Sequence, residues 1–252
     1  MRMKIFGDYH THTKYSDGHN EVIDLVKEAE KQGLSELGIT DHSFNMMFCG
    51  MTRLKFKKIS NDIAKVKTDL KILKGVEANI LSTGMIDIPK DLISKFDYIN
   101  CGFHRFVTGL DNFDFFFTNG FGNLEARKKR VDTNTAIYIK IIESGVVDTL
   151  VHLNHRCLVD SNVIVQKAKE NGVYIELNEK HIESLEPNFE DLNIDGVKFI
   201  LGSDAHRAEK VGKFEKILEF IKKYNIDQEL VYGFNGKTPE FKRKWWWSSQ
   251  RN

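Results

Sequence analysis

The strongest constraint on the fold is an alternation that runs through the chain. Short apolar runs, rich in β-branched residues, take turns with longer stretches in which apolar residues recur every three or four positions. The runs fall at residues 3–7, 37–40, 72–80, 98–102, 146–151, 173–177 and 197–201. Helical spacing predicts helices over 20–32, 56–70, 133–144, 161–171 and 213–224. In the first of these, Val22, Leu25, Val26 and Ala29 share one face, Asn20 supplies an N-cap and Gly33 a stop. Strands separated by helical crossovers pair in parallel, whereas a hairpin would need only a short turn. Seven such units, roughly 25 to 35 residues apart, predict an α/β fold, a distorted seven-stranded (β/α)7 TIM-like barrel.

At 252 residues, with three prolines and no low-complexity linker, the chain reads as a single barrel domain over 1–233. Two segments break its rhythm. One is an insertion at about 105–130 carrying Phe106, Phe113, Phe115, Phe116, Phe117 and Phe121 and then Arg127-Lys128-Lys129-Arg130. The other is a C-terminal tail over 234–252, containing Trp245-Trp246-Trp247.

Ionisable residues gather where the predicted strands end. In order, these ends carry His10, His12 and Asp17; Asp41 and His42; Glu77; His104; His152 and His155; Glu176 and Asn178; and Asp204 and His206. The C-terminal ends of parallel barrel strands share one face, where active sites are built. Seven of the nine histidines lie at such ends, leaving His19 and His181 in loops. His10 and His12, two residues apart, point to the same side of a strand. Imidazoles and carboxylates packed together are costly without a cation to share, so the pattern predicts a metal site.

Charge and cysteine content narrow the partners. Lys plus Arg (37) nearly balances Asp plus Glu (36), which argues against a nucleic-acid or membrane surface partner. Cys49, Cys101 and Cys157 are few and widely spaced, as in a reducing compartment, and no apolar leader precedes the first strand, so a cytoplasmic location is expected.

Five motifs carry a family resemblance: His10-Thr-His-Thr with Ser16-Asp17-Gly18, Ile39-Thr-Asp41-His42, Gly75-Val-Glu77-Ala-Asn79, Gly102-Phe-His104, and Leu201-Gly-Ser-Asp204-Ala-His206. Together they resemble the PHP (polymerase and histidinol phosphatase) family, nearest to its stand-alone bacterial phosphatases, over roughly residues 3–220. The resemblance implies a PHP-type barrel, a three-metal centre and phosphomonoester hydrolysis. It implies a first metal held by His10, His12, Glu77 and Asp204, with Glu77 bridging. Glu77, His104 and His152 would hold a second, and Asp17, His42 and His206 a third. Asp17 stands where some relatives have histidine. Glu77, Asp204 and His206 are the expected catalytic residues. The mixed nitrogen and oxygen donors suit three divalent ions, Zn²⁺ first, with Mn²⁺ or Fe²⁺ also admitted.

The expected reaction is hydrolysis of a small phosphorylated metabolite, histidinol phosphate being one candidate, by a metal-bridged hydroxide. Arg105, Arg156 and Arg207 each directly follow a strand-end histidine and are candidates to bind phosphate oxygens, with His155 and Asn178 as further substrate contacts. Asp41 and Asn178 are also candidates to orient imidazoles, and Glu176 reads as a buried, hydrogen-bonded carboxylate. The phenylalanine-rich insertion, which begins beside His104, is either a lid over the substrate or a cover for one barrel end. A PHP-type nuclease is the alternative function, with Arg127–Arg130 or Lys242–Lys244 and the neighbouring aromatics as its only basic surfaces. A non-catalytic metal-binding regulatory domain is the other, although all nine expected ligand positions carry a coordinating residue.

Overall fold

The structure is a computed structural model that describes residues 4–108, 113–187 and 189–242. Strands β1 (Gly7–Asp8), β2 (Glu36–Ile39) and β3 (Lys71–Lys74) form a three-stranded sheet. A six-stranded sheet follows in chain order: β4 (Glu77–Asn79), β5 (Asn100–Gly102), β6 (Thr149–Leu150), β7 (Tyr174–Asn178), β8 (Phe199–Gly202) and β9 (Val231–Tyr232). Every neighbouring pair is parallel, as the crossover spacing predicts. Parallel bridges connect the two sheets, one between His42, after β2, and Glu77 of β4, the other between Thr11, after β1, and Ala205, after β8.

The strand count differs from the expected seven. The run at 72–80 is split at Gly75–Val76, where the Gly75 N–H bonds to Ile39 O (2.9 Å) and the Glu77 N–H to Asp41 O (3.2 Å). The second half therefore registers on the residues that follow β2. β9 is only two residues long, too short for a periodic signal.

Helices α1 (Val22–Lys31), α2 (Arg53–Lys65), α6 (Val131–Glu143), α7 (Ser161–Glu170) and α8 (Glu215–Lys223) fill the crossovers, with a short α3 (Lys90–Ile93) before β5. α1 buries the four residues whose spacing marked its inner face. Its N-cap is Glu21, in a reciprocal box with Asp24, and the Asn20 side chain instead accepts the Ala208 N–H (3.0 Å). α2 starts earlier than its apolar period because Thr52 Oγ1 caps Lys55 N–H (3.1 Å). The expected insertion is helical: α4 (Phe113–Phe121) and α5 (Leu124–Lys128) lead into α6. Phe115 and Phe116 are buried against Phe103, whereas Phe113, Phe117 and Phe121 are exposed.

A small second core gathers Tyr9, Leu73, Tyr98, Tyr174, Ile200 and Phe241. Phe241 belongs to the expected tail, yet its ring stacks on Tyr98 with centroids 4.3 Å apart. The tail backbone is also tied down: Glu240 N–H donates to the Tyr174 hydroxyl and Lys242 N–H to Asp148, each at 2.9 Å. Residues 234–242 are thus packed on the strands, while Trp245–Trp247 and the rest of the Lys242–Lys244 run lie outside the described residues. Among the described residues no helix is long and apolar enough to cross a membrane.

Candidate metal centre

The loop after β1 is set by its threonines. Thr11 points away from the two histidines and hydrogen-bonds β2, its hydroxyl donating to Gly38 O (2.6 Å). Asp41 accepts from the Thr13 N–H (2.8 Å), the Thr13 hydroxyl (2.7 Å) and the Ser16 hydroxyl (2.5 Å). Asp41 therefore folds the loop that presents Asp17; it hydrogen-bonds no imidazole among the described residues.

Glu77 is the hub. Its Oε1 lies 2.8 Å from His152 Nε2 and 2.9 Å from His104 Nε2. Its Oε2 lies 3.0 Å from His42 Nδ1, 3.4 Å from His10 Nε2 and 3.5 Å from His12 Nε2. Asp204 Oδ1 is 3.5 Å from His12 Nε2 and 3.3 Å from His206 Nδ1, and Asp17 Oδ2 is 3.2 Å from His206 Nε2 and 3.3 Å from His42 Nε2. All nine expected ligand positions converge. Three sets have donor atoms close enough to share an ion: His10, His12 and Glu77; His42, Glu77 and His104; and His12, Asp17, His42 and His206. Among the described residues His12, His42 and Glu77 each stand in two sets, so the groupings overlap more than the ligand lists of the resemblance, which share Glu77 alone.

The donors fit divalent ions by a test of their own. Glu77 Oε2 and the His42 Nδ1 that faces it are buried without a hydrogen-bond partner, whereas His104 and His152 turn Nε2 toward Glu77 and leave Nδ1 on the far side of the ring. Buried polar atoms are normally paired, and a carboxylate oxygen and an imidazole nitrogen that face each other unpaired are what a bound cation would satisfy. Burial by itself would raise the Glu77 and Asp204 carboxyls, but the surrounding imidazoles hold both well below the usual range. Burial likewise opposes charge on His10 and His42, yet Glu176 and Glu77 beside His10, and Glu77 and Asp17 beside His42, hold them well above the usual imidazole value. His12, with burial dominant, is pushed down to about 3. The carboxylates thus draw protons onto two imidazoles, and a divalent ion would displace them.

Behind this cluster, Glu176 Oε1 sits 2.6 Å from His10 Nδ1, which leaves Nε2 aimed at the cluster. A Cβ on Gly202 would fall 1.9 Å from that same oxygen, so glycine there makes room for the pair. His152 and Asp204 hold positive φ (62° and 54°), a costly conformation for such side chains that functional sites often retain.

A cavity of about 220 Å³ opens over the cluster, lined in part by Arg105, His155, Arg156, Lys180 and His181. Two expected substrate contacts lie elsewhere. Asn178 is buried, donating to Glu176 Oε2 (2.9 Å), because its side chain faces inward with Glu176 on β7. Arg207 lines an adjoining groove with Lys210, Lys213 and Lys216, since the chain turns outward after His206. Lys180 and His181 were missed by the strand-end rule. Asn178 Oδ1 accepts both of their N–H groups (3.0 and 2.9 Å), folding the loop back so that they reach the cavity. An asparagine at a strand end is the signal that could have found them.

The chain matches the PHP domain family over residues 8–230. It belongs to that family. It is 29% identical over 240 residues, 91% of each chain, to a protein named "Probable phosphatase" from Acetivibrio thermocellus. Another protein so named, from Thermoanaerobacter sp., is 30% identical over 254 residues, 95% of each chain. The fold resembles that of a histidinol phosphate phosphatase from Lactococcus lactis, solved with zinc, L-histidinol and phosphate: TM-score 0.59 at 20% identity, covering 89% of this chain and 95% of that one.

Proposed function

We propose that this chain, a metal-dependent phosphatase of the PHP family, hydrolyses small-molecule phosphomonoesters at a trinuclear centre. The observation that carries the reading is Glu77, a fully buried carboxylate with five histidines within 3.5 Å and one oxygen lacking a hydrogen bond. His10, His12, Glu77 and Asp204, then Glu77, His104 and His152, then Asp17, His42 and His206 would hold three divalent ions, zinc first among them. Bound ions supply charge neutralisation at the phosphoryl oxygens and acidification of the attacking water. The residues do the rest. Glu176 keeps a proton on His10 Nδ1 so that Nε2 offers its lone pair. Glu77, Asp204 and His206 fix the reacting face, and Arg105, His155 and Arg156 line the cavity that receives the ester. The bridges between the sheets support reading the two as one distorted barrel, with β3 and β4 as a single interrupted strand.

Emission spectrometry of the purified protein, with p-nitrophenyl phosphate turnover before and after chelation, tests this reading. Co-purifying divalent metal and chelator-sensitive turnover are expected. A protein without metal that hydrolyses nothing, even after Zn²⁺ or Mn²⁺ is restored, would sink it.

A further inference from the structure

Two arginines at the metal cavity have no counter-ion among the described residues. Arg105 and Arg156 both line the cavity. No described carboxylate forms an ion pair with either, whereas Arg130 pairs with Asp114 at 2.5 Å. Burial first, and then the like charges of Arg105 and Arg127, push the Arg156 guanidinium below its ordinary value.

The pair is held in place. The Arg105 guanidinium lies 5.6 Å from the Phe106 ring and 5.9 Å from that of Phe121, and those rings meet edge to face at 5.8 Å. Met47 N–H donates to Phe106 O (2.7 Å), which fixes that wall to the loop after β2. Arg156 donates to Gly120 O (3.2 Å), and a Cβ on Gly120 would come within 2.9 Å of Arg105 Cγ. α4 therefore packs directly on both arginines. Guanidiniums held side by side at a cavity wall without acids match an anionic ligand. The reacting phosphoryl group already has the metal cluster to neutralise it, so the charge that remains to be met belongs elsewhere on the ligand.

We infer that Arg105 and Arg156 form a second anion subsite, and that the substrate is a phosphomonoester carrying a further phosphate or carboxylate on its leaving group. This rests on the phosphatase reading above and deepens it. It also sets the chain against cationic esters: L-histidinol phosphate would bring an ammonium group toward two guanidiniums.

The experiment compares kcat/KM of the metal-loaded enzyme on matched esters. Fructose 1,6-bisphosphate is set against fructose 6-phosphate, 2-phosphoglycerate against glycerol 2-phosphate, and L-histidinol phosphate and p-nitrophenyl phosphate complete the series. At least a tenfold advantage is expected for a doubly anionic ester over its partner, the first pair reporting a phosphate and the second a carboxylate. In Arg105→Met/Arg156→Met that ratio should collapse toward one, and calorimetric binding of the better doubly anionic ester to the calcium-loaded protein should weaken at least tenfold. Equal turnover within both pairs overturns the subsite, as does a variant that slows every ester by the same factor, which would place the arginines on the reacting phosphate. p-Nitrophenyl phosphate separates the two failures: its chelator-sensitive hydrolysis shows a phosphatase without the subsite, and its absence shows that the phosphatase reading itself has fallen.

Discussion

Glu176 Oε1 and His10 Nδ1 lie 2.6 Å apart, both side chains fully buried, one from β7 and one from the loop after β1. The carboxylate fixes which imidazole nitrogen faces the metal cluster without itself being a ligand. Glu176→Gln keeps the shape and removes the charge, so metal affinity should fall by about 10- to 100-fold. Competition against a chelating dye measures this, and unchanged affinity would show that His10 needs no such partner.

Glu77→Gln tests the hub. A neutral amide leaves five histidines without their shared carboxylate. Most bound metal should be lost, and kcat should drop by at least about 10²-fold, the scale for losing one preorganised charge at a reacting centre. Circular dichroism should show a retained fold; full occupancy with near-normal turnover would refute the role.

Phe241 should matter to stability although it lies beyond the expected domain. It is buried against Tyr98, Tyr9 and Tyr174. Phe241→Ala should cost about 3 to 5 kcal/mol in urea unfolding, as for other buried aromatics cut to alanine. A loss below about 1 kcal/mol would mean that the tail docks without contributing to the core.

His155 gives a pH signature. Burial, aided by His181 and His152, pushes it down from 6.5 to about 3. Between these values the unfolded chain binds a proton that the folded chain refuses, so stability rises with pH across this window and is kept in full above it. His155→Gln should flatten that slope when chelated protein is unfolded in denaturant from about pH 4 to 7. An unaltered slope would show that the ring titrates normally.

Much of this centre is legible in the chain because its signals are local. Strand and helix periods follow from backbone geometry, and His10, His12, His104, His152, Asp204 and His206 stand just after strand ends that those periods locate, while Glu77 lies within the run at 72–80 and opens β4. The parallel pairing follows as well, since a helical crossover permits little else. Tertiary structure decided what local spacing cannot carry. The break at Gly75–Val76 depends on how far the following residues slide along β2, and the seat of Phe241 depends on three tyrosines distant in sequence. Lys180 and His181 reach the cavity because Asn178 bends the loop, and Glu176 meets His10 across 166 positions because Gly202 leaves room. Periodicity reports which side of an element a residue occupies; only packing determines which other side chain meets it there.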